Sequence, residues 1–138
     1  CNMHDDKFLD LDRVPIDIKR KLECFSEKAA KEYEMVSHPW YHDVAICVVE
    51  RKEAHFRRSI QISLCKDKDD KEHVIFIPNF EEYLGKKRRM MSQIPERFIL
   101  KIPFSDLSES SFGRVFREVI TFSYFITPAM FDREDEIA

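Results

Sequence analysis

Few residues in this chain have the spacing that catalysis or metal binding requires. His38 and His42 are four residues apart, which would place two metal ligands on one face of a helix. Pro39 lies between them and interrupts such a helix, and no third ligand follows at a suitable spacing. Glu81 and Glu82 resemble a catalytic carboxylate pair, but they lie in a charged segment where both would stay ionised. We therefore predict no metal and no cofactor.

Phosphate loops and nucleophile motifs are also missing from the sequence. The only glycines are Gly85 and Gly113, whereas phosphate-binding loops need several glycines for close approach of the backbone. No serine lies in a nucleophile-elbow pattern, and no cysteine has glycine-rich surroundings. Because a nucleophile, a base and an orienting group cannot be assembled, we predict that the chain is not an enzyme.

Two groups of residues could instead bind a partner. One is a basic run that could contact phosphate groups, and it consists of Lys86, Lys87, Arg88 and Arg89. The other is a set of aromatic residues that fall at strand ends near turns, namely Phe56, Phe76, Phe80 and Tyr83. Rings at the mouth of a barrel can hold a methylated cation by cation–π attraction, and packing in the core is the alternative reading.

Composition indicates one soluble domain. The 138 residues are 43% hydrophobic, which supplies a core, and 36% charged, which supplies a solvated surface. The net charge of −3 creates no global field that attracts nucleic acid or an anionic membrane. Apolar runs are too short to cross a bilayer, and no secretory signal is visible. The four cysteines are far apart, which favours a reducing, cytoplasmic compartment.

Hydrophobic periodicity predicts a helix followed by strands. Apolar residues recur every three or four positions over residues 15–37, after which Pro39 ends the helix. The period then changes to that of strands, which we predict at residues 44–49, 56–64, 74–77, 83–84 and 99–102. Pro78 is expected to end the third strand, and residues 86–93 to form a polar connection. These strands predict a small antiparallel five-stranded β-barrel over residues 42–103.

The C-terminal part is predicted to contain a helix and a strand. Ser108 or Ser110 can cap a helix over residues 108–119. Apolar residues then alternate over residues 120–126, which favours a strand. The polar start and the acidic tail from Asp132 are expected to be loose. The predicted fold class is therefore α+β, with a barrel flanked by a long N-terminal helix and a C-terminal helix and strand in a single domain, 1–138.

The order of these segments resembles that of Tudor domains, especially the extended type fused to a staphylococcal-nuclease-like half. Tudor domains have a strand of small apolar residues, a Trp-Tyr-Arg-Ala strand, a strand ending in Phe-Ile-Asp-Tyr-Gly and a later Leu-Pro segment. The corresponding stretches here are DVAICVV at 43–49, HFRR at 55–58, VIFIPNF at 74–80 and QIPERF at 93–98. Order and spacing are similar over residues 42–103, and the helical flanks also fit.

The resemblance implies a degenerate form of the aromatic cage that binds dimethylarginine. Carried over by position, Phe56 and Phe76 keep aromatic places in the cage. Asn79 stands where the cage tyrosine would be, and Glu81 stands near the cage asparagine. Phe80 could substitute from the next position if the turn is changed. A cage with these losses implies recognition of an unmodified peptide or of a partner domain.

The resemblance further implies a scaffold protein of small-RNA silencing. Extended Tudor domains bind Argonaute-pathway or other granule proteins of the piRNA system. The expected location is cytoplasmic, in perinuclear germ granules, and no membrane partner is expected. Two alternatives stay open. An RNA-binding module would use residues 86–89 with Arg57 and Arg58, and it fails if those arginines pair with Glu50, Glu53, Glu81 or Glu82. A small bacterial or phage toxin-neutralising protein is the other alternative.

Overall fold

The computed structural model of the protein describes residues 7–39, 45–84, 87–90 and 98–125, which form one antiparallel sheet and two α-helices. The strands are β1 (Lys7–Phe8), β2 (Val36–Pro39), β3 (Ala45–Lys52), β4 (Phe56–Lys66), β5 (Glu72–Leu84), β6 (Lys87–Met90) and β7 (Leu100–Pro103). The helices are α1 (Ile16–Glu32) and α2 (Glu109–Phe125), and short 3-10 turns lie at Leu11–Arg13 and Phe104–Asp106. Neither α-helix of this described part is long and apolar enough to cross a membrane.

The sheet has the strand order β2-β3-β4-β5-β6, and every pairing in it is antiparallel. In addition, β1 pairs with the end of β4, and β7 pairs with the first half of β5. The outermost strands β2 and β6 do not pair with each other, so the sheet made by the described strands is not closed into a barrel. The α+β class and the antiparallel sheet are thus confirmed at this coarser level.

Strand β5 is much longer than the sequence predicted, because it continues through Pro78. It pairs with β4 along its whole length, but on its other side β7 covers residues 73–76 and β6 covers residues 81–84. Pro78 lies between these two partners, so neither β6 nor β7 lies opposite it on this edge. The predictions of a strand end at Pro78 and of a separate strand at 83–84 were wrong. The polar connection predicted at 86–93 contains β6 instead.

The core lies between one face of the sheet and both helices. Cys47, Ile62 and Phe76 are neighbours in register across β3, β4 and β5, and all three are fully buried. From α2, the Phe112 ring lies 5.0 Å from that of Phe76 and 5.6 Å from that of Phe25 on α1. Phe112 therefore joins both helices to the sheet. Because its ring is fully buried, it contributes about 2–3 kcal/mol of hydrophobic stabilisation.

Helix α1 is shorter than predicted, since it ends at Glu32 rather than at residue 37. The next residues form a turn in which Glu34 has a φ of 56° and the N–H of Met35 donates to the carbonyl of Ala30. Val36 continued the apolar stripe in the sequence, but it begins β2 and is 59% exposed. The spacing of apolar residues was therefore misleading at this helix end.

Helix α2 is longer than predicted, so the strand expected at 120–126 was wrong for the described residues up to 125. Ile120 and Ser123 are buried, whereas Phe122 and Tyr124 are exposed. This burial has the helical spacing of three rather than the alternation of a strand. Residues 7–8, expected to be loose, pair with β4. Residues 1–6 and the tail from Asp132 lie outside the described residues.

Candidate binding surface at one end of the sheet

Three parts of the chain meet at one end of the sheet, which we call the hairpin end. Phe56, the first residue of β4, pairs with Glu82, and Leu84 pairs with Lys87 of β6. The turn between β3 and β4 and the connection from β5 to β6 therefore lie at the same end. The last turn of α2 also lies there, because the Arg58 Nη1 atom donates a hydrogen bond to the carbonyl of Ser123.

An arginine fills the space among three aromatic rings at the hairpin end. The rings of Phe56 and Phe80 are stacked, with centroids 5.4 Å apart. The Arg58 Cζ atom lies 4.8 Å from the Phe56 centroid and 5.1 Å from those of Phe80 and Tyr124. Burial lowers the pKa of the Arg58 guanidinium, which still stays charged and binds the rings by cation–π attraction. We call these four residues the arginine box.

The arginine box depends on strand alternation and on the position of α2. Phe56 and Arg58 are two residues apart on β4 and therefore share a face of the sheet, and Phe80 is the register partner of Arg58 on β5. Arg51 adds a second link, because its Nη1 atom donates to the hydroxyl of Tyr124 at 3.1 Å. That hydrogen bond raises the pKa of Arg51. The last helical turn, whose carbonyls favour cations, is thus tied to the sheet by two arginines.

Apolar surface continues outward from the arginine box. Phe122 is 38% exposed and Tyr124 is 42% exposed, both on the last turns of α2. The Phe122 ring lies 6.1 Å from the ring of Phe98, which in turn packs against Phe80. Large exposed aromatic side chains beside a buried aromatic cluster are a feature of surfaces that bind other molecules.

A buried ion cluster lies on the opposite face of the same strands. The Arg57 Nε atom donates to Glu50 Oε2, and Arg57 Nη1 donates to Glu81 Oε2 at 3.3 Å. His38 Nε2 lies 3.0 Å from the second oxygen of Glu50, so the cluster joins β2, β3, β4 and β5. The side chains of Arg57, Glu50 and Glu81 are only 17%, 13% and 6% exposed.

The cluster changes the acidity of its members in opposite directions. Burial by itself would raise the pKa of Glu50, but the hydrogen bonds and charges of Arg57 and His38 outweigh it, and the pKa is lowered. Burial would likewise lower the pKa of Arg57, but the two carboxylates outweigh it, and the pKa is raised. Both shifts favour the charged forms, as expected for an ion pair network.

The predicted cage residues are divided between two faces and the core. Phe56 and Phe80 come together in the arginine box, whereas Phe76 is fully buried against Phe112. Asn79 and Glu81 alternate with Phe80, so they lie on the other face, where Glu81 binds Arg57. The structure therefore does not bring the five predicted residues into one cage.

Sequence reasoning did not place Arg58 and Tyr124 in the site. Arg58 could have been found from its two-residue spacing to Phe56, which puts both on one face of a strand. Tyr124 could not, because residues 120–126 were read as a strand. Of the basic run, Lys86 lies outside the described residues. Residues 87–89 belong to β6, in register with residues 82–84 at the hairpin end.

A second histidine–carboxylate pair lies close to the β4–β5 turn. His73 Nε2 lies 2.9 Å from Asp67 Oδ2 in the β4–β5 turn, and the other oxygen of Asp67 accepts two backbone N–H groups. These contacts, led by the backbone hydrogen bond from Lys71, lower the pKa of Asp67. Within the described ranges, no group of three or more His, Cys, Asp or Glu residues could hold a metal ion. His42 lies outside those ranges.

Comparison of the chain with protein-family models, curated proteins and solved structures finds no match. The resemblance to Tudor domains thus stays a prediction from the sequence.

Proposed function

We propose that this chain is a non-catalytic protein-interaction module that binds a peptide or protein partner at the hairpin end. The observation that carries the proposal is the exposure of Tyr124, a member of the arginine box, and of Phe122, whose ring lies against Phe98. Aromatic residues and arginine are enriched where proteins bind one another, and a few such residues supply most of the binding energy.

The surface is also ordered before a partner arrives. Arg58 contacts three rings and the end of α2, and Arg51 holds the hydroxyl of Tyr124. Side chains that are already fixed lose little conformational entropy on binding, which favours affinity. An aromatic ring held in this way presents a large apolar area at low cost.

The Tudor resemblance extends the proposal to a family and a cellular role. An antiparallel run of five strands, β2-β3-β4-β5-β6, preceded and followed in sequence by a helix, supports a Tudor-like architecture. In that case the module is a scaffold of cytoplasmic small-RNA silencing or germ granules, and its partner is an Argonaute-pathway or granule protein. The division of the cage residues supports an unmodified ligand rather than dimethylarginine.

A titration followed by NMR tests this function. The isotope-labelled protein receives a symmetric-dimethylarginine peptide, the same peptide unmodified, a set of unrelated peptides, and a single-stranded RNA. Peptide-induced shifts at Ser123 and Tyr124 are expected, and Phe122→Ala should abolish them. The matched control is Ile16→Ala, which removes another exposed apolar side chain from α1. The proposal is wrong if no peptide shifts these residues, or if only RNA binds and shifts residues 87–89.

A further inference from the structure

We propose that Tyr124 is a phosphorylation site and that the protein binds the resulting phosphate itself, through Arg51. The proposal concerns contacts within the chain, so it does not depend on the proposed binding of a partner. Three features lead to it, namely the exposure of the tyrosine, the guanidinium at its hydroxyl and the guanidinium at its ring.

Tyr124 has the exposure that a modifying enzyme requires. Its side chain is 42% exposed and lies on the last turn of α2, whose described range ends at Phe125. Tyr33 offers a contrast within the same chain, because it is half-buried and its ring lies 5.8 Å from that of Phe116 in the core. Of these two tyrosines, Tyr124 is therefore the one that a kinase is expected to modify.

The hydroxyl of Tyr124 already lies at a group that binds phosphate. The Arg51 Nη1 atom donates to it at 3.1 Å. A phosphoryl group on this oxygen brings three acceptor oxygens to the same guanidinium, whose planar fork suits phosphate. Because the Arg51 side chain is 37% exposed, it can shift to make space for the added group. One hydrogen bond to a neutral hydroxyl is then replaced by stronger, charge-assisted hydrogen bonds.

A second guanidinium lies at the ring of the same tyrosine. The Arg58 Cζ atom is 5.1 Å from the Tyr124 centroid, and its Nη1 atom donates to the carbonyl of the preceding residue, Ser123. Arg51 and Arg58 are register partners on β3 and β4, so the pairing of the strands fixes their spacing. Together they attract both parts of a phosphotyrosine side chain, the ring by cation–π contact and the phosphate by charge.

Carboxylates near Arg51 oppose a phosphate but use a different donor atom. Glu53 Oε1 lies 3.6 Å from Arg51 Nε, whereas the tyrosine hydroxyl is bound by Nη1. The charge of Glu34 also acts on Arg51. Because Glu53 is 34% exposed, water screens its repulsion of the phosphate. The contact between Glu53 and Arg51 is the one that phosphorylation is expected to weaken.

The modification is a phosphoryl transfer from ATP, catalysed by a tyrosine kinase. The Tyr124 oxygen forms a bond to the γ-phosphorus, the bond between that phosphorus and ADP breaks, and the hydroxyl proton is released. The product carries a charge of about −1.5 to −2 at neutral pH. Its binding to Arg51 fastens the end of α2 more firmly to β3.

A kinase assay tests the modification. The native protein is incubated with ATP and tyrosine kinases of broad specificity, and mass spectrometry locates the phosphate. Tyr124 is expected to be modified while Tyr33 stays unmodified, and the signal assigned to residue 124 should be lost in Tyr124→Phe. Absence of phosphate at Tyr124 of the native protein overturns the proposal.

Phosphotyrosine encoded genetically at position 124 tests the internal binding. Phosphorus NMR should give a titration midpoint below the value of about 6 of a free phosphate, because the arginines favour the dianion. Urea denaturation should remove this shift, and Arg51→Gln should reduce it. Lys52→Gln is the matched control and should leave the shift unchanged, because Lys52 is exposed on the opposite face of β3.

The phosphate should also change stability with a definite sign. Because its folded pKa is lowered, it should raise the urea midpoint of unfolding above the unfolded pKa of about 6. This gain should be lost as the pH falls through the folded midpoint. A phosphorus midpoint equal to that of free phosphotyrosine, or one that Arg51→Gln leaves unchanged, overturns the binding of the phosphate by Arg51.

Discussion

Replacing Arg57 should be among the most damaging single changes outside the apolar core. Arg57 holds two carboxylates that are 13% and 6% exposed, so Arg57→Met leaves both without their main cation. Removing one member of a buried ion pair costs about 3–5 kcal/mol. Because the cluster keeps partial contact with water, we expect a loss near the lower end, about 3 kcal/mol. A loss of that size is a large part of the ~5–15 kcal/mol that stabilises a typical domain.

The contribution of Glu50 to the free energy of unfolding should depend on pH in opposite directions in Arg57→Met and in the wild type. In the wild type the folded pKa of Glu50 is lowered, so its contribution is present above the unfolded pKa of ~4.3 and is lost as the pH falls through the folded value. In Arg57→Met burial dominates and raises the folded pKa of Glu50 above the unfolded value. The deficit of the variant is then largest at neutral pH and shrinks as the carboxyl protonates.

Urea unfolding followed by circular dichroism over a pH series measures both effects. Lys52→Met is the matched control, since Lys52 is exposed and pairs in register with Arg57, and it should change stability by less than about 0.5 kcal/mol. Repeating the series in a His38→Asn background removes the other group bonded to Glu50. A loss below about 1 kcal/mol for Arg57→Met, or a deficit that grows towards acid, would refute the reasoning.

Three further predictions concern the helices and the buried thiol. Gly113→Ala should raise the free energy of unfolding by about 1 kcal/mol, because an added Cβ meets no atom within 4 Å and alanine favours the helix; a loss in urea unfolding would contradict this. Iodoacetamide at about pH 8 should alkylate exposed Cys24 in the native protein but not Cys47, whose burial raises the thiol pKa to about 12; mass spectrometry showing rapid native labelling of Cys47 would disprove it. Phe112→Ala should cost about 3–5 kcal/mol and Phe122→Ala less than about 1 kcal/mol, so equal losses in denaturation would argue against the described core.

The central strands were predictable because their burial leaves a mark in the sequence. Residues 45–49 form an apolar run, and all five are buried in β3. Residue types alternate along β4, which identified it as a strand, although residues 62–65 are buried on both faces. The strand continuing through Pro78 was not predictable, because the gap between β6 and β7 is a property of the assembled sheet. The C-terminal strand was wrongly predicted because Phe122 and Tyr124 are apolar without being buried, and a pattern of residue types cannot show this.

The site was predictable only in part, for a similar reason. The resemblance pointed to Phe56 and Phe80, which do lie together on one face of β4 and β5. It also pointed to Phe76, which the core absorbs. The arginine box needs Tyr124 from a helix far along the chain, and no local pattern records such a contact. The RNA-binding alternative was expected to fail if its arginines pair with nearby glutamates. Arg57 does pair with Glu50 and Glu81, which counts against that alternative.

The two partners of β5 on one edge imply that the domain opens in separate steps. Residues 73–76 are held by β7 beneath α2, whereas residues 81–84 pair on that edge with the four-residue β6 alone among the described strands. Amide hydrogens of β6 should therefore exchange with solvent through a local opening that leaves the β4–β5–β7 unit closed. An insertion between β5 and β6 would likewise lengthen the binding end at little cost to the core. Under the proposed function, partner binding and fold stability thus depend on different stretches of the same strand.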